Sequence, residues 1–174
     1  MRAVVFGSSG IKEGSKEYQD AYAVGKLLAS QGFDVLNGGH TGVMEAVSKG
    51  AREAGGKAIG VTAKHIKYAP TNKYLSEVIM TEDLFERMRA YFKDNDLIVV
   101  MPGGSGTLTE LMLSCDLMGF GLIKNKPILA FDYWKPAIEL VKGKVNILRG
   151  IDNIKIVSSA DEIKEFLNKN ACNN

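Results

Sequence analysis

Leu97-Ile98-Val99-Val100-Met101 runs directly into Pro102-Gly103-Gly104-Ser105-Gly106-Thr107-Leu108-Thr109-Glu110. A short unbroken apolar run predicts a strand covered on both faces, as in a parallel sheet. Leu108 to Met118 predicts a helix. The glycines between them lack Cβ, so the backbone can turn tightly and come close to a ligand. A helix that starts there offers unpaired N–H groups and the positive end of its dipole, which together hold a phosphate. Thr107 can add its hydroxyl or cap the helix. The stretch is not a P-loop, because no lysine precedes Thr107. A tight turn with no ligand is the plain alternative.

The same grammar extends in both directions. Short apolar runs predict strands at Ala3–Phe6, Phe33–Leu36, Ala58–Val61, Glu77–Met80, Ile128–Phe131 and Ile154–Val157. Helices are predicted from about Tyr18 to Ala29, Val43 to Ala54, Leu84 to Lys93 and Ala160 to Leu167. Ser159-Ala160-Asp161-Glu162 reads as a capping box for the last of these. Residues 63–76 read as a loop with a turn at Pro70-Thr71-Asn72. Strands alternating with helices predict an α/β Rossmann-like fold: three layers, α/β/α, around a mostly parallel sheet. Right-handed crossovers put every strand-to-helix loop at one edge of that sheet, where such folds bind ligands.

Chain totals narrow the classes. At 174 residues, 45% hydrophobic and 24% charged, residues 1–174 read as a single globular domain. A net charge of +2 gives no electrostatic case for nucleic acid or an anionic membrane. No apolar run is long enough to span a bilayer, and the start of the chain lacks signal-peptide grammar. Cytoplasmic residence is the expectation. Cys115 and Cys172 suggest no disulfide framework, and Cys115 reads as a packed helix residue. His40 and His65 are isolated, so a metal site has little support.

Two other strand ends are glycine-rich. Gly38-Gly39-His40-Thr41-Gly42 reads equally as a ligand loop or a plain turn. Gly7-Ser8-Ser9-Gly10 offers two hydroxyls. The latter is not a GxGxxG fingerprint, and the second strand ends at Asn37 rather than an acid, which argues against a nicotinamide enzyme. Glu110 is read either as a carboxylate facing the glycines or as an N3-type capping acid. Of Arg87 and Arg89 only one need point inward, since i and i+2 do not share a helix face.

Pro102 to Glu110 matches PGGxGTxxE, the signature of the Lonely Guy family, often labelled "lysine decarboxylase-like". Gly38-Gly39-His40-Thr41-Gly42-Val43-Met44 resembles that family's GGG-x-x-GLM loop, and the opening strand with Gly7-Ser8-Ser9 resembles its first loop. The resemblance implies a Rossmann-like fold, a homodimer or higher homo-oligomer, and hydrolysis of the N-glycosidic bond of a nucleoside 5′-monophosphate, AMP or cytokinin-type. No metal or redox cofactor is implied. By the same resemblance Arg87 and Glu110 are the catalytic residues. The ligand would be held by Gly7, Ser8, Gly38, Gly39, Thr41, Gly42, Pro102, Gly103, Gly104, Ser105, Gly106 and Thr107. The chain departs from the family at Met88, where a lysine is usual, at Phe85 for histidine, at Thr109 for glutamate and at Ser105 for tyrosine. Such departures occur in a branch that includes carrier-like proteins. The alternative is therefore a non-catalytic carrier or sensor of a phosphorylated nucleotide or molybdopterin-type ligand. A pyridoxal-dependent lysine decarboxylase is rejected, because nothing marks a Schiff-base lysine with an acidic partner for the ring nitrogen.

Overall fold

The computed structural model describes residues 1–64, 66, 70–144 and 150–171. His65 and Cys172, weighed above, lie outside these residues. In chain order the elements are β1 (Arg2–Phe6), α1 (Lys16–Ser30), β2 (Asp34–Asn37), α2 (Val43–Glu53), β3 (Ala58–Ala63), β4 (Glu77–Thr81) and α3 (Leu84–Phe92). They continue with β5 (Leu97–Val100), α4 (Ser105–Gly119), β6 (Ile128–Phe131), α5 (Lys135–Lys144), β7 (Ile154–Val157) and α6 (Ala160–Ala171).

All seven strands form one sheet in the order β4-β3-β2-β1-β5-β6-β7, and every pairing is parallel. The sheet is thus wholly parallel, where the sequence predicted mostly so. Alternate strand residues feed two cores, as the pleat requires. Ala3, Val5, Val35 and Val99 pack with Val24 and Leu28 of α1, Val47 of α2 and Ile163 of α6. Val4, Phe6, Leu36, Ile98 and Val100 pack on the other face with Tyr91 of α3, Leu111 and Cys115 of α4 and Ile138 of α5. That makes three layers.

Caps set the helix starts. Ser15 accepts from the Tyr18 N–H at the start of α1, and Asp83 accepts from the Glu86 N–H at the start of α3. At α6 the Ser159 hydroxyl accepts from the Glu162 N–H, but the returning Glu162 carboxylate takes Ser158 instead. Two elements differ from the sequence reading. Helix α5 was not foreseen; only Ile138 among its residues is buried, so its apolar stripe is faint. Helix α4 begins at Ser105 rather than Leu108, because Gly104 acts as its N-cap and Ser105-Gly106-Thr107 form its first turn.

The strand order reverses between β1 and β5, which pair Ala3 with Leu97 and Phe6 with Val100. At such a switch point the connections leave in opposite directions and a crevice opens at the carboxyl ends. The loops after β1, β2 and β5 meet there.

Candidate functional site

Hydrogen bonds tie the three loops into one rim. Ser8 N–H donates to the Pro102 carbonyl at 3.1 Å and Val43 N–H to the Ser8 carbonyl at 2.9 Å. The Thr41 hydroxyl donates to the Ser9 carbonyl at 2.9 Å. Gly42 has φ of +67°, and a Cβ there would lie 2.7 Å from the Ser9 carbonyl carbon. Only glycine lets the start of α2 come so close to the first loop.

Below the rim is a cavity of about 440 Å³. Of the site residues named from the sequence, Gly7, Ser8, Gly38, Gly104, Ser105, Gly106, Thr107, Arg87 and Glu110 line it. Gly39, Thr41 and Gly42 do not: they build the rim, and the Thr41 hydroxyl is spent on Ser9. Pro102 and Gly103 face a second cleft of about 470 Å³, which also includes Lys16, Asp20, Asp132 and Tyr133. Ser8 borders both spaces.

The N-terminus of α4 opens onto the first cavity. Its cap, Gly104, provides no side-chain hydrogen bond. Among the described residues no side chain caps the first-turn N–H groups of Ser105, Gly106 and Thr107, a disposition suited to an anion. Ser105 and Gly106 are exposed, while Thr107 is buried.

Glu110 lies one turn further along. Because α4 starts early, this residue is in the second turn, and the N3-cap reading is ruled out. Its carboxyl group makes no hydrogen bond or ion pair among the described residues. Burial pushes its pKa up to about 7, with the Arg87 charge pulling the other way. The group therefore sits poised between acid and carboxylate near neutral pH.

Arg87 is the inward arginine and Arg89 the exposed one. Its Nε donates to the Val61 carbonyl at 2.8 Å, and its Nη2 to the Gly38 carbonyl at 3.2 Å. The end of β3 and the 38–42 loop are joined through this one side chain.

Three features were not read from sequence. Tyr91 lines the cavity beneath Arg87; its spacing of four residues from Arg87 was the available signal. His40 also lines it, with Nε2 3.5 Å from the Thr62 hydroxyl. Asn72 fastens the 38–42 loop from outside: its N–H donates to the Gly39 carbonyl at 2.8 Å and its Nδ2 to the His40 carbonyl at 3.0 Å. Nothing local in Pro70-Thr71-Asn72 signals that long-range contact.

A wholly parallel sheet whose order reverses under a polar cavity defines a Rossmann-like α/β protein. The chain belongs to the SLOG cluster4 family, whose model matches residues 1–165. The cytokinin riboside 5′-monophosphate phosphoribohydrolase of Mycobacterium tuberculosis is 34% identical over 116 residues, 66% of this chain and 62% of that enzyme. The chain thus spans less than two thirds of that relative's length. Among solved structures, TM1055, a Northeast Structural Genomics Consortium target, is 29% identical with a TM-score of 0.75, covering 97% of this chain and 99% of that one. The molybdenum cofactor binding protein of the phototrophic bacterium Rippkaea orientalis has a TM-score of 0.76 over 97% of this chain and 96% of its own. At 22% identity that likeness shows a shared fold.

Proposed function

We propose that this protein hydrolyses the N-glycosidic bond of a nucleoside 5′-monophosphate, AMP or a cytokinin-type nucleotide, to a free base and ribose 5-phosphate. The observation that carries this reading is Glu110: a partly buried carboxyl group with no hydrogen bond or ion pair among the described residues, in the same cavity as the start of α4. Breaking the C1′–N bond leaves positive charge on the ribose, and a nearby carboxylate stabilises it. Water then adds to C1′, and the departing base takes up a proton. The amides of Ser105, Gly106 and Thr107 hold the 5′-phosphate. Arg87 supplies a fixed cation beside Glu110. The names of the curated relatives point the same way.

The second reading is a carrier or sensor that binds a phosphorylated nucleotide or pterin and leaves it intact. What favours it is the engagement of Arg87 with two backbone carbonyls, which leaves fewer of its donors for chemistry. One assay separates the two. Purified protein is incubated with AMP and with cytokinin-type monophosphates, and base and ribose 5-phosphate are quantified. Hydrolysis that falls at least ~100-fold in Glu110→Gln, with AMP still bound, is expected. Binding with no product after long incubation establishes the carrier.

A homodimer is also proposed. Phe85 and Leu122, 75% and 70% exposed, line an apolar groove with Met88, Leu113 and Leu117. Sedimentation should give a dimer for the wild type and a monomer for Phe85→Glu.

A further inference from the structure

We propose that Tyr91 is a positioning residue that fixes the Arg87 guanidinium before any ligand arrives, so that the site presents a cation at a set place beside Glu110. The proposal rests on Arg87 and Glu110 being the working pair, as argued above. The two α3 residues are four apart and share one helix face. The Arg87 guanidinium carbon lies 5.2 Å from the centre of the Tyr91 ring, within cation–π range.

Both side chains use one acceptor. The Val61 carbonyl takes Arg87 Nε at 2.8 Å and the Tyr91 hydroxyl at 3.3 Å. The ring itself is fully buried. It stands edge-on to Phe6, with ring centres 5.3 Å apart and planes at 80°. Phe6 in turn packs against Phe92 at 6.0 Å. Tyr91 is therefore locked in the core at one end and carries the arginine at the other.

Gly38 completes the seat. A Cβ there would lie 2.5 Å from Arg87 Nη2, 2.6 Å from Met44 Sδ and 3.1 Å from the Tyr91 hydroxyl. The guanidinium group fills the space that glycine leaves. An arginine has five N–H groups; two are donated to Val61 and Gly38, and the others have no acceptor among the described residues. A side chain ordered in advance stabilises developing charge without reorganising during reaction.

The test reads the charge that Arg87 delivers, not turnover. Among the described residues, the other ionisable groups lining the cavity are Arg87 and Tyr91 on α3 and His40 on the 38–42 loop. The Glu110 side-chain carboxyl is titrated by ¹³C NMR in wild type, Tyr91→Phe, Tyr91→Met, Arg87→Met and the Tyr91→Met/Arg87→Met double variant. Tyr91→Met keeps most of the buried volume but removes the ring and hydroxyl; Tyr91→Leu is the substitute if it fails to fold. Losing the fixed cation should raise the Glu110 midpoint by at least ~0.3 pH unit in Tyr91→Met and further in Arg87→Met. Tyr91→Phe, which keeps the ring, should titrate like wild type. In the Arg87→Met background the tyrosine change should add nothing. A smaller rise in Tyr91→Met, or an equal rise in both backgrounds, overturns the proposal. Because no product is measured, a protein that never hydrolyses its ligand still gives a clear answer here, and a failed positioning role leaves the hydrolysis assay to be judged alone.

Discussion

Two of the three glycine loops at the carboxyl edge, 102–107 and 38–42, look alike in sequence and differ in what surrounds them. Around Gly104 and Gly106, a Cβ would meet nothing within 4 Å. Around Gly38 and Gly42 it would collide with Arg87, Met44 or the Ser8–Ser9 backbone. The polar groups differ in the same way. The start of α4 has no side-chain cap. The 38–42 loop is already engaged: Gly39 N–H by Asn37 Oδ1 at 2.8 Å, Gly39 carbonyl by Asn72, Gly38 carbonyl by Arg87. At Gly104 and Gly106 the first loop is open, although a Cβ at Gly103 would meet the Thr107 side chain; the second loop is a frame that holds a cation in place. Glycine content alone does not separate these roles. Following where each Cβ and each N–H would go does.

The largest expected effect is at the frame. Gly42→Ala puts a side chain at φ of +67° against the Ser8 carbonyl. It should cost about 3 kcal/mol of stability, read by urea unfolding. A cost below about 1 kcal/mol would break the contrast, since the rim would then tolerate what the geometry forbids.

An intermediate effect is expected between the loops, at Glu110. Its folded pKa of about 7 lies above the ordinary 4.5. Between those values the folded state binds more protons than the unfolded state, so stability falls as pH rises from about 4.5 to 7, with the full cost present above 7. Glu110→Gln removes that slope. Thermal unfolding at pH 5 and pH 8 should show the variant gaining on wild type at the higher pH only, by on the order of 1 kcal/mol after allowance for partial exposure. Parallel curves for the two proteins would show that the carboxyl group is not desolvated.

Smallest is the stability effect at the open loop. Gly106→Ala meets no atoms and sits in the first turn of a helix, so stability should change by less than about 0.5 kcal/mol. Phosphate-ligand affinity, measured by calorimetry, should carry whatever effect there is.

Much of this was legible in advance because each step is local. The 97–110 stretch predicts its own strand and helix, since an apolar run, a glycine turn and a helical period follow one another without a gap. That only one of Arg87 and Arg89 faces inward follows from helix geometry; that it is Arg87 was implied only by the family resemblance. Less legible was where α4 starts. Glycine, serine and threonine in its first turn have weak helix preference, so the reading began at Leu108 and placed Glu110 one turn too early. The structure lets Gly104 cap the helix, and the carboxyl group moves into the second turn. Hidden altogether were the long-range ties. Asn72 meets the 38–42 loop across 32 residues to reach the His40 carbonyl, and a parallel sheet creates such neighbours without leaving a sequence period. Thr41 shows the converse: its hydroxyl suits a ligand by type, yet folding gives it to Ser9.

The most direct check is an amide titration of ¹⁵N-labelled protein with AMP, followed by the same experiment with adenosine. Saturable shifts centred on Ser105, Gly106 and Thr107 that need the phosphate are the predicted result. AMP that binds while leaving those three amides unmoved, or adenosine that moves them equally, would contradict the assignment of the α4 N-terminus as the phosphate seat.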